Sequence, residues 1–343
     1  MLDPWFTANL VCPLDHQSLT FSDGRLQCAS NHRYPVVDDV PVMLIGQIEQ
    51  TIDIAAASLR RSRSEGIDAR APHLHLESLG ISEEEKVGVL DLMKRGSAID
   101  PVVAHLVAAT NGLMYRHLIG SLDRYPLPEI PLPEGEGRSL LDVGCSWGRW
   151  TIAAARRGYQ AVGIDPSLGA VMAARRVARQ LGADTRYLVA DARHLPFAEK
   201  RFDCVYSYSV LQHLSRVDAE AAVAEMGRVL VNGGTAKVQM PTTLGVRCLF
   251  HQVKRGFRDG RGFEVRYWSL PALRRLFTRR VGQSRIDVDC YFGIGLQRSD
   301  EPLMTPRLKT ILSASERLKR ASRYFRPLTW IADSVFVQAS RSR

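Results

Sequence analysis

Three aspartates stand at the ends of three apolar runs: Asp142 in "LLDVGCSWGRW", Asp165 in "AVGIDPS" and Asp191 in "LVADARHLPF". Beside Asp142 the chain passes through Gly144 and Gly148. Glycines let a backbone come close to a bound molecule, and a helix starting there offers N–H groups without partners. A carboxylate ending the second run can accept both hydroxyls of a ribose, and one ending the third is placed to meet an adenine edge. A dinucleotide is the first candidate ligand. Its G-x-G-x-x-G fingerprint needs glycines at 146 and 149, where this chain has Ser146 and Arg149. The observed spacing is D-x-G-x-x-x-G. A second group of reactive side chains lies near the start. Cys12 and His16 are spaced C-x3-H, as are Cys28 and His32. Two such pairs of soft ligands, about a dozen residues apart, suggest a tetrahedral zinc site.

The elements that must position these groups follow from periodicity. Apolar strands read at 139–143, 160–164, 185–190, 202–207 and 235–240, with helices at 148–158, 167–182 and 217–231. Such alternation makes a parallel sheet covered on both faces, with ligands at the carboxyl ends of its strands. A helix at 269–277 and strands at 284–292 and 333–340 complete an α/β domain of seven strands over 138–343. A basic amphipathic helix at about 306–326 is inserted before the last strand. Residues 1–46 read as a small β module of short strands and polar turns. Residues 47–137 read as a linker and helical cap segment. Within it, 47–80 is weakly patterned and 81–122 is helical. Ser82 with Glu85 forms a capping box there, and Asp100 caps a second helix that starts at Pro101. Residues 125–137 are a Pro-rich extended connector.

Composition bounds the function. Of 343 residues, 45% are apolar and 24% charged, an ordinary soluble globular balance. No apolar run reaches the roughly 18 residues of a membrane span. The first residues lack the basic stretch of a secretory signal. Six thinly spread cysteines do not form a disulfide framework, which points to a reducing cytoplasm. The formal charge is +10, unevenly distributed. Arg247 to Arg285 holds eleven Lys/Arg against Asp259 and Glu264, and Arg307 to Arg326 holds seven against Glu316. Such patches attract phosphates, anionic lipid surfaces or acidic substrates, or serve only as a solvated face.

With "FDCVYSYSVLQHL" and "RVLVNGGTAKVQMP" added to the three stretches above, the sequence resembles the Rossmann-like (class I) S-adenosylmethionine-dependent methyltransferases over roughly 139–240. Ser146 departs from the family's usual middle glycine. The resemblance implies that Gly144 and Gly148 make room for the methionine moiety, with Cys145 and Ser146 lining it. It implies that Asp142 helps orient the amino group, Asp165 and the adjoining Pro166 hold the ribose, Asp191 and Ala192 contact the adenine, and Tyr208 lies near the methyl. Cys145 reads as a wall residue, since no base stands beside it. Methyl transfer to a hydroxyl also needs a proton removed, and His213 in "SVLQHLS" is the general-base candidate. The N-terminal module resembles zinc-ribbon-like modules that precede some methyltransferases. Those carry C-x2-C twice, whereas Asp15 and Asn31 stand here at the second position of each pair. The site is then degraded, or has moved to the histidines.

These features imply a methyltransferase acting on a small-molecule, glycan or lipid-linked acceptor, most readily at oxygen; the basic patches suit an acidic acceptor or a peripheral membrane contact. The alternatives are a ribosomal RNA base methyltransferase and a non-catalytic module that keeps the fold. The helical cap and late insert do not belong to the RNA-enzyme pattern, and the basic clusters lack a tight array of stacking aromatics.

Overall fold

The computed structural model describes residues 2–46, 53–63, 70–110 and 113–342. It opens on helix α1 (Pro4–Asn9), capped by Asp3, whose carboxylate accepts the Trp5 N–H at 2.9 Å. Four short antiparallel strands follow: β1 (Thr20–Ser22), β2 (Arg25–Gln27), β3 (Arg33–Val37) and β4 (Val40–Pro41). So small a unit cannot enclose a sufficient core by itself. It shares one instead. Leu2, Phe6, Leu10 and Leu26 pack in one cluster with Leu188, Leu195, Phe197 and Phe202 of the later sheet domain. Leu10 bridges Phe197, Val42 bridges Val189, and the Met43 N–H donates to the Val189 carbonyl at 2.7 Å.

Helices α2 (Ile54–Ser62), α3 (Glu83–Arg95) and α4 (Pro101–Thr110) come next. The expected capping box is present in both directions, with Ser82 and Glu85 exchanging backbone hydrogen bonds at 3.1 and 2.8 Å. Asp100 Oδ1 accepts the N–H groups of Val102 and Val103 at 2.9 and 3.3 Å. A 3-10 helix covers Leu113–Leu118. Parts of the expected linker, 47–52 and 64–69, and residues 111–112 of the expected helical stretch lie outside the described residues.

The alternating region forms β5 (Ser139–Val143), α5 (Arg149–Arg156), β6 (Gln160–Asp165), α6 (Leu168–Gln180), β7 (Thr185–Val189), β8 (Phe202–Ser207), α7 (Arg216–Val229) and β9 (Leu230–Pro241). Helices α8 (Val246–Lys254) and α9 (Leu270–Arg280), strand β10 (Ser284–Cys290), helix α10 (Pro306–Ala321) and strand β11 (Ser334–Ser340) complete the chain. The seven strands lie in the order β10-β11-β9-β8-β5-β6-β7. β5 to β9 pair in parallel, while β11 runs antiparallel between β9 and β10. From β5 the chain winds one way through β6 to β7, then returns to β8 and β9. The crevice at the end of β5 is therefore the topological switch point, where open α/β sheets bind their ligands.

Two expectations need correction. α10 ends at Ala321 rather than near 326, and a separate 3-10 helix takes up Arg326–Ile331. α8 arises within the basic stretch, which carries no helix expectation in the sequence. No helix among the described residues is long and apolar enough to cross a membrane.

Candidate active site

The turn after β5 has three residues in the left-handed region, two of them glycines, Gly144 at φ 79° and Gly148 at φ 80°. A β-carbon at Gly144 would stand 2.3 Å from Val210 Cγ2, and one at Gly148 2.5 Å from Tyr187 Oη. Both conformation and space demand glycine. The turn is fastened to β6 because the Gly144 and Cys145 N–H groups donate to the Ile164 carbonyl at 2.8 and 2.9 Å. Ser146, with φ 47°, aims its N–H at Asp165 Oδ2, 2.9 Å away. The Ser167 N–H donates to Asp165 Oδ1 at 2.9 Å. Each Asp165 oxygen thus accepts one backbone donor and keeps a further lone pair. That leaves two adjacent acceptor positions, which fits a pair of vicinal hydroxyls.

Burial pushes the Asp165 carboxyl up to about 6. Beneath the turn Asp142 is 1% exposed and accepts the Thr151 hydroxyl at 2.7 Å. Burial, with Asp165 nearby, pushes it up to about 7. A cationic nucleoside ligand seated on these two acids would bind their ionised forms. Both groups are held above their ordinary values in the empty protein, so donor binding must release protons at acid pH. For S-adenosylmethionine bound by both ionised carboxylates, affinity should therefore rise with pH from 5 to about 7.5, approaching a hundredfold per pH unit below pH 6 and about tenfold between 6 and 7, and then level off. Titration calorimetry across that range checks it, and Asp165→Asn should flatten the lower limb.

The flanks of the turn are also held. Ser58 of α2 donates to the Pro166 carbonyl at 2.6 Å and accepts the Leu168 N–H at 2.9 Å. Ser167 donates to the Ser78 carbonyl at 2.6 Å, and Ser78 Oγ accepts the Gly169 N–H at 2.7 Å. Ser58 and Ser78 are both fully buried. Neither stands out in the sequence, because they lie in its weakly patterned segment. At the end of β7, Asp191 is clasped by Arg193, whose Nη2 lies 2.7 Å from Oδ2 and whose backbone N–H donates to Oδ1 at 2.9 Å. Arg193 reaches on to Asp218 at 2.8 Å. The Asp191 carboxylate therefore fixes its own loop, with Ala192 beside it. Cys145 is buried and its thiol is held well above the ordinary value by desolvation, so it is an unreactive wall.

On the other side of β5, the Tyr208 phenol donates to Asp289 Oδ2 at 3.0 Å and accepts from the Gln297 amide. The Ser334 hydroxyl also donates to Asp289, at 2.8 Å. The Tyr208 ring packs 4.7 Å from that of Trp150. Burial raises the Asp289 carboxyl. Sequence reasoning missed Asp289, although its alternation with Ile286 and Val288 in "SRIDVDC" puts it opposite their apolar face. A second unforeseen tie joins three distant segments. Arg149 Nη2 binds both oxygens of Asp300 at 2.6 and 2.7 Å, and the Tyr115 phenol donates to Asp300 at 2.5 Å.

His213 lies in the 3-10 turn after β8. Its ring stacks on Phe263 with centroids 3.9 Å apart. Nδ1 is 2.7 Å from the Phe263 carbonyl, which can only accept, so Nδ1 carries the proton and Nε2 keeps its lone pair. Gln212 Nε2 lies 3.2 Å from that lone pair. Burial, with Arg266 nearby, lowers the imidazole to about 4, so it is neutral at physiological pH.

In the N-terminal module, one ligand atom from each of Cys12, Asp15, Cys28 and His32 lies within 4.8 Å of all the others. This corrects the expected set, because Asp15 takes the place given to His16. The chain turns back at the Cys12 carbonyl, which accepts the His16 N–H at 2.8 Å, and His16 leaves that turn at φ 56° with its side chain exposed. Two sulfurs, an imidazole and a carboxylate at this spacing fit a tetrahedral zinc ion.

Sheet order, antiparallel last strand, glycine turn and the Asp165 cradle together define the Rossmann-like class I methyltransferase fold. Residues 140–234 match the family described as "Methyltransferase domain", so the chain carries a class I S-adenosylmethionine-dependent methyltransferase domain, and S-adenosylmethionine is the methyl donor of that family. Among curated proteins, the chain is 31% identical over 138 residues to the ubiquinone biosynthesis O-methyltransferase of Alkalilimnicola ehrlichii, covering 37% of this chain and 55% of that one. It is 31% identical over 164 residues to the ajmaline N-methyltransferase of Rauvolfia serpentina, covering 46% and 56%. Among solved structures, YcgJ of Bacillus subtilis is 20% identical with a TM-score of 0.42, covering 61% of this chain and 94% of that one. The chain thus spans about half the length of these curated relatives.

Proposed function

We propose that the protein transfers the methyl group of S-adenosylmethionine to an oxygen of a small-molecule acceptor, lipid- or glycan-linked molecules included. The observation that carries this reading is the Asp165 carboxylate, which accepts one backbone N–H on each oxygen and keeps one further acceptor position on each. The turn 144–148 beds the methionine moiety, Asp142 orients its amino group, Asp165 and Pro166 hold the ribose, Asp191 and Ala192 border the adenine, and Tyr208 borders the methyl. The donor supplies a methyl already activated on a sulfonium. What the chain adds is alignment and exclusion of water, which in enzymes is worth several powers of ten in rate. The O-methyltransferase name of one relative supports oxygen as the accepting atom, and the N-methyltransferase name of another is the competing case. For a hydroxyl acceptor, His213 offers a fixed tautomer whose Nε2 lone pair, which takes the Gln212 amide at 3.2 Å in the empty site, would have to exchange that donor for the acceptor hydroxyl. Burial lowers its basicity to about 4, below what an efficient general base needs at neutral pH, so the rate of a His213 variant decides the role.

Isotope-labelled donor incubated with protein and cell extract should label the small-molecule or lipid fraction; label confined to RNA overturns the acceptor class. In the same assay His213→Ala should slow turnover by at least about tenfold while leaving donor affinity within about twofold. A near-normal rate removes it as the base.

The N-terminal module binds zinc through Cys12, Asp15, Cys28 and His32 in this reading, as a structural staple outside the reaction. All six cysteines are free and buried, which suits a cytoplasmic, reducing setting. Metal analysis should find about one zinc per chain. Stripping it, or Cys28→Ser, should lower the thermal midpoint by several degrees, because metal binding and local folding are one equilibrium. Donor affinity should weaken as well, since Leu10 and Trp5 of the module rest on Phe197, next to the Asp191 loop.

A further inference from the structure

Helix α8 is amphipathic in the inverted sense. Its apolar residues Val246, Leu249, Phe250 and Val253 stand at i, i+3, i+4 and i+7 and so form one stripe. All four are exposed, Phe250 to 63% and Val253 to 57%. The side facing the protein carries Cys248, which is 1% exposed and is the helix's one fully buried residue. The Cys248 N–H donates to Asp333 Oδ1 at 2.8 Å, so Asp333 caps the helix from another segment. Gly245 lies so close that a β-carbon there would be 2.4 Å from Asp333 Cα. The helix is thereby pinned by its polar side, with its oily side turned to solvent. Ordinary surface helices have the opposite arrangement.

Further apolar side chains are exposed in the segments joined to the helix. The chain leading to Asp333 exposes Phe325, Trp330 and Ile331, and the loop after α8 exposes Phe257 to 66%. Cations flank these side chains. Arg247 and Lys254 lie on α8 beside the apolar stripe, α8 belongs to the basic stretch 247–285, and the 325–331 segment begins where the basic stretch 307–326 ends, at Arg323 and Arg326. Aliphatic and aromatic side chains ringed by Lys and Arg match a bilayer interface, where the apolar groups enter the acyl boundary and the cations meet anionic headgroups. Nucleic acid would reward the rings and the charge but gives no return for exposed Leu249, Val253 and Ile331.

We propose that α8, with its following loop and the 325–331 segment, docks the protein onto an anionic membrane surface. The patch borders the mouth of the sheet. α8 follows β9 after four residues, and the loop beyond it supplies Phe263, which stacks on His213. An acceptor held in that surface would therefore meet the site without passing through bulk water. The docking itself does not depend on which acceptor is methylated.

The test is flotation of the full chain with vesicles of phosphatidylcholine containing about 30% phosphatidylglycerol, against pure phosphatidylcholine. The protein should float with the anionic vesicles, and binding should fall steeply between about 50 and 500 mM salt. Phe250→Ser with Val253→Ser should cut the bound fraction at least about tenfold. Lys254→Glu should weaken binding to anionic vesicles only. These side chains are exposed, so thermal midpoint and donor affinity should match wild type, which separates failed docking from failed folding or failed donor binding. Wild-type protein remaining with the soluble fraction, or equal flotation of the double variant, overturns the proposal. So does a double variant that leaves flotation unchanged but converts a dimer to a monomer or abolishes RNA binding.

Discussion

Asp165→Ala is expected to weaken S-adenosylmethionine binding by at least about a hundredfold while barely moving the thermal midpoint. The two halves of that expectation have separate causes. The carboxylate presents two free acceptor positions to a pair of hydroxyls, and hydrogen bonds to a charged group are each worth about 1.5–3 kcal/mol. Losing both amounts to two powers of ten or more in affinity. In the donor-free fold the same carboxylate is a burden at neutral pH. Its folded value of about 6 lies above its ordinary 3.8, so folding is favoured by protonation and the ionised group opposes folding as pH rises through that interval. Removing it relieves that opposition but orphans the Ser146 and Ser167 N–H groups. Each effect is of the order of 1–3 kcal/mol, and they act in opposite directions. Asp165→Asn, which keeps the shape and loses the charge, should fall between wild type and Ala in affinity. Calorimetric titration alongside thermal melting checks both, and an affinity for the Ala variant within about threefold of wild type would remove the ribose role.

Asp300→Ala should cost about 3–5 kcal/mol of stability, the largest loss expected for a single substitution outside the apolar core. Asp300 is fully buried and Arg149 is 5% exposed, so the substitution leaves a guanidinium without a counter-charge in a dry setting. It also deprives the Tyr115 phenol of its acceptor. Replacing both partners with apolar residues, Arg149→Met with Asp300→Leu, should recover most of the loss, because the penalty comes from the orphaned charge and not from the missing attraction. Arg149 directly follows Gly148 and starts α5. The single variant should therefore loosen the donor turn and raise the donor Kd, and the double variant much less. Chemical denaturation with donor titration on the same preparations tests this; a double variant as unstable as Asp300→Ala would show that the triad is held by packing and not by charge.

Much of the donor half is legible in the order of the amino acids. Asp142, Asp165 and Asp191 stand at strand ends because an apolar run that stops at an acid reads as a buried strand reaching solvent. The glycines of the turn announce themselves because no other residue tolerates both their φ and their neighbours. The caps at Ser82 and Asp100 are equally readable, since a side chain and the N–H it satisfies are three residues apart. The long-range ties around it are not. Tyr208 meets Asp289 across 81 positions, and Arg149 meets Asp300 across 151. No local pattern encodes such a pairing. The N-terminal Cys/Asp/His cluster shows the same limit at short range. The sequence reads Asp15 as a lost ligand and His16 as its replacement, whereas the left-handed turn at His16 leaves that side chain exposed and Asp15 beside the two cysteines and His32.

The sequence by itself determined the layered α/β sheet, the donor turn and the acids that border it, because these rest on interactions between near neighbours and on the period of buried side chains. Only the tertiary structure decided which buried charges meet, which residue joins the Cys12, Cys28 and His32 cluster, and which way the apolar stripe of α8 faces. A helix shows its two faces in its sequence, but the segment that docks against it selects the one left to solvent. For α8 that choice was made by Asp333, 85 residues away from the N–H group it caps.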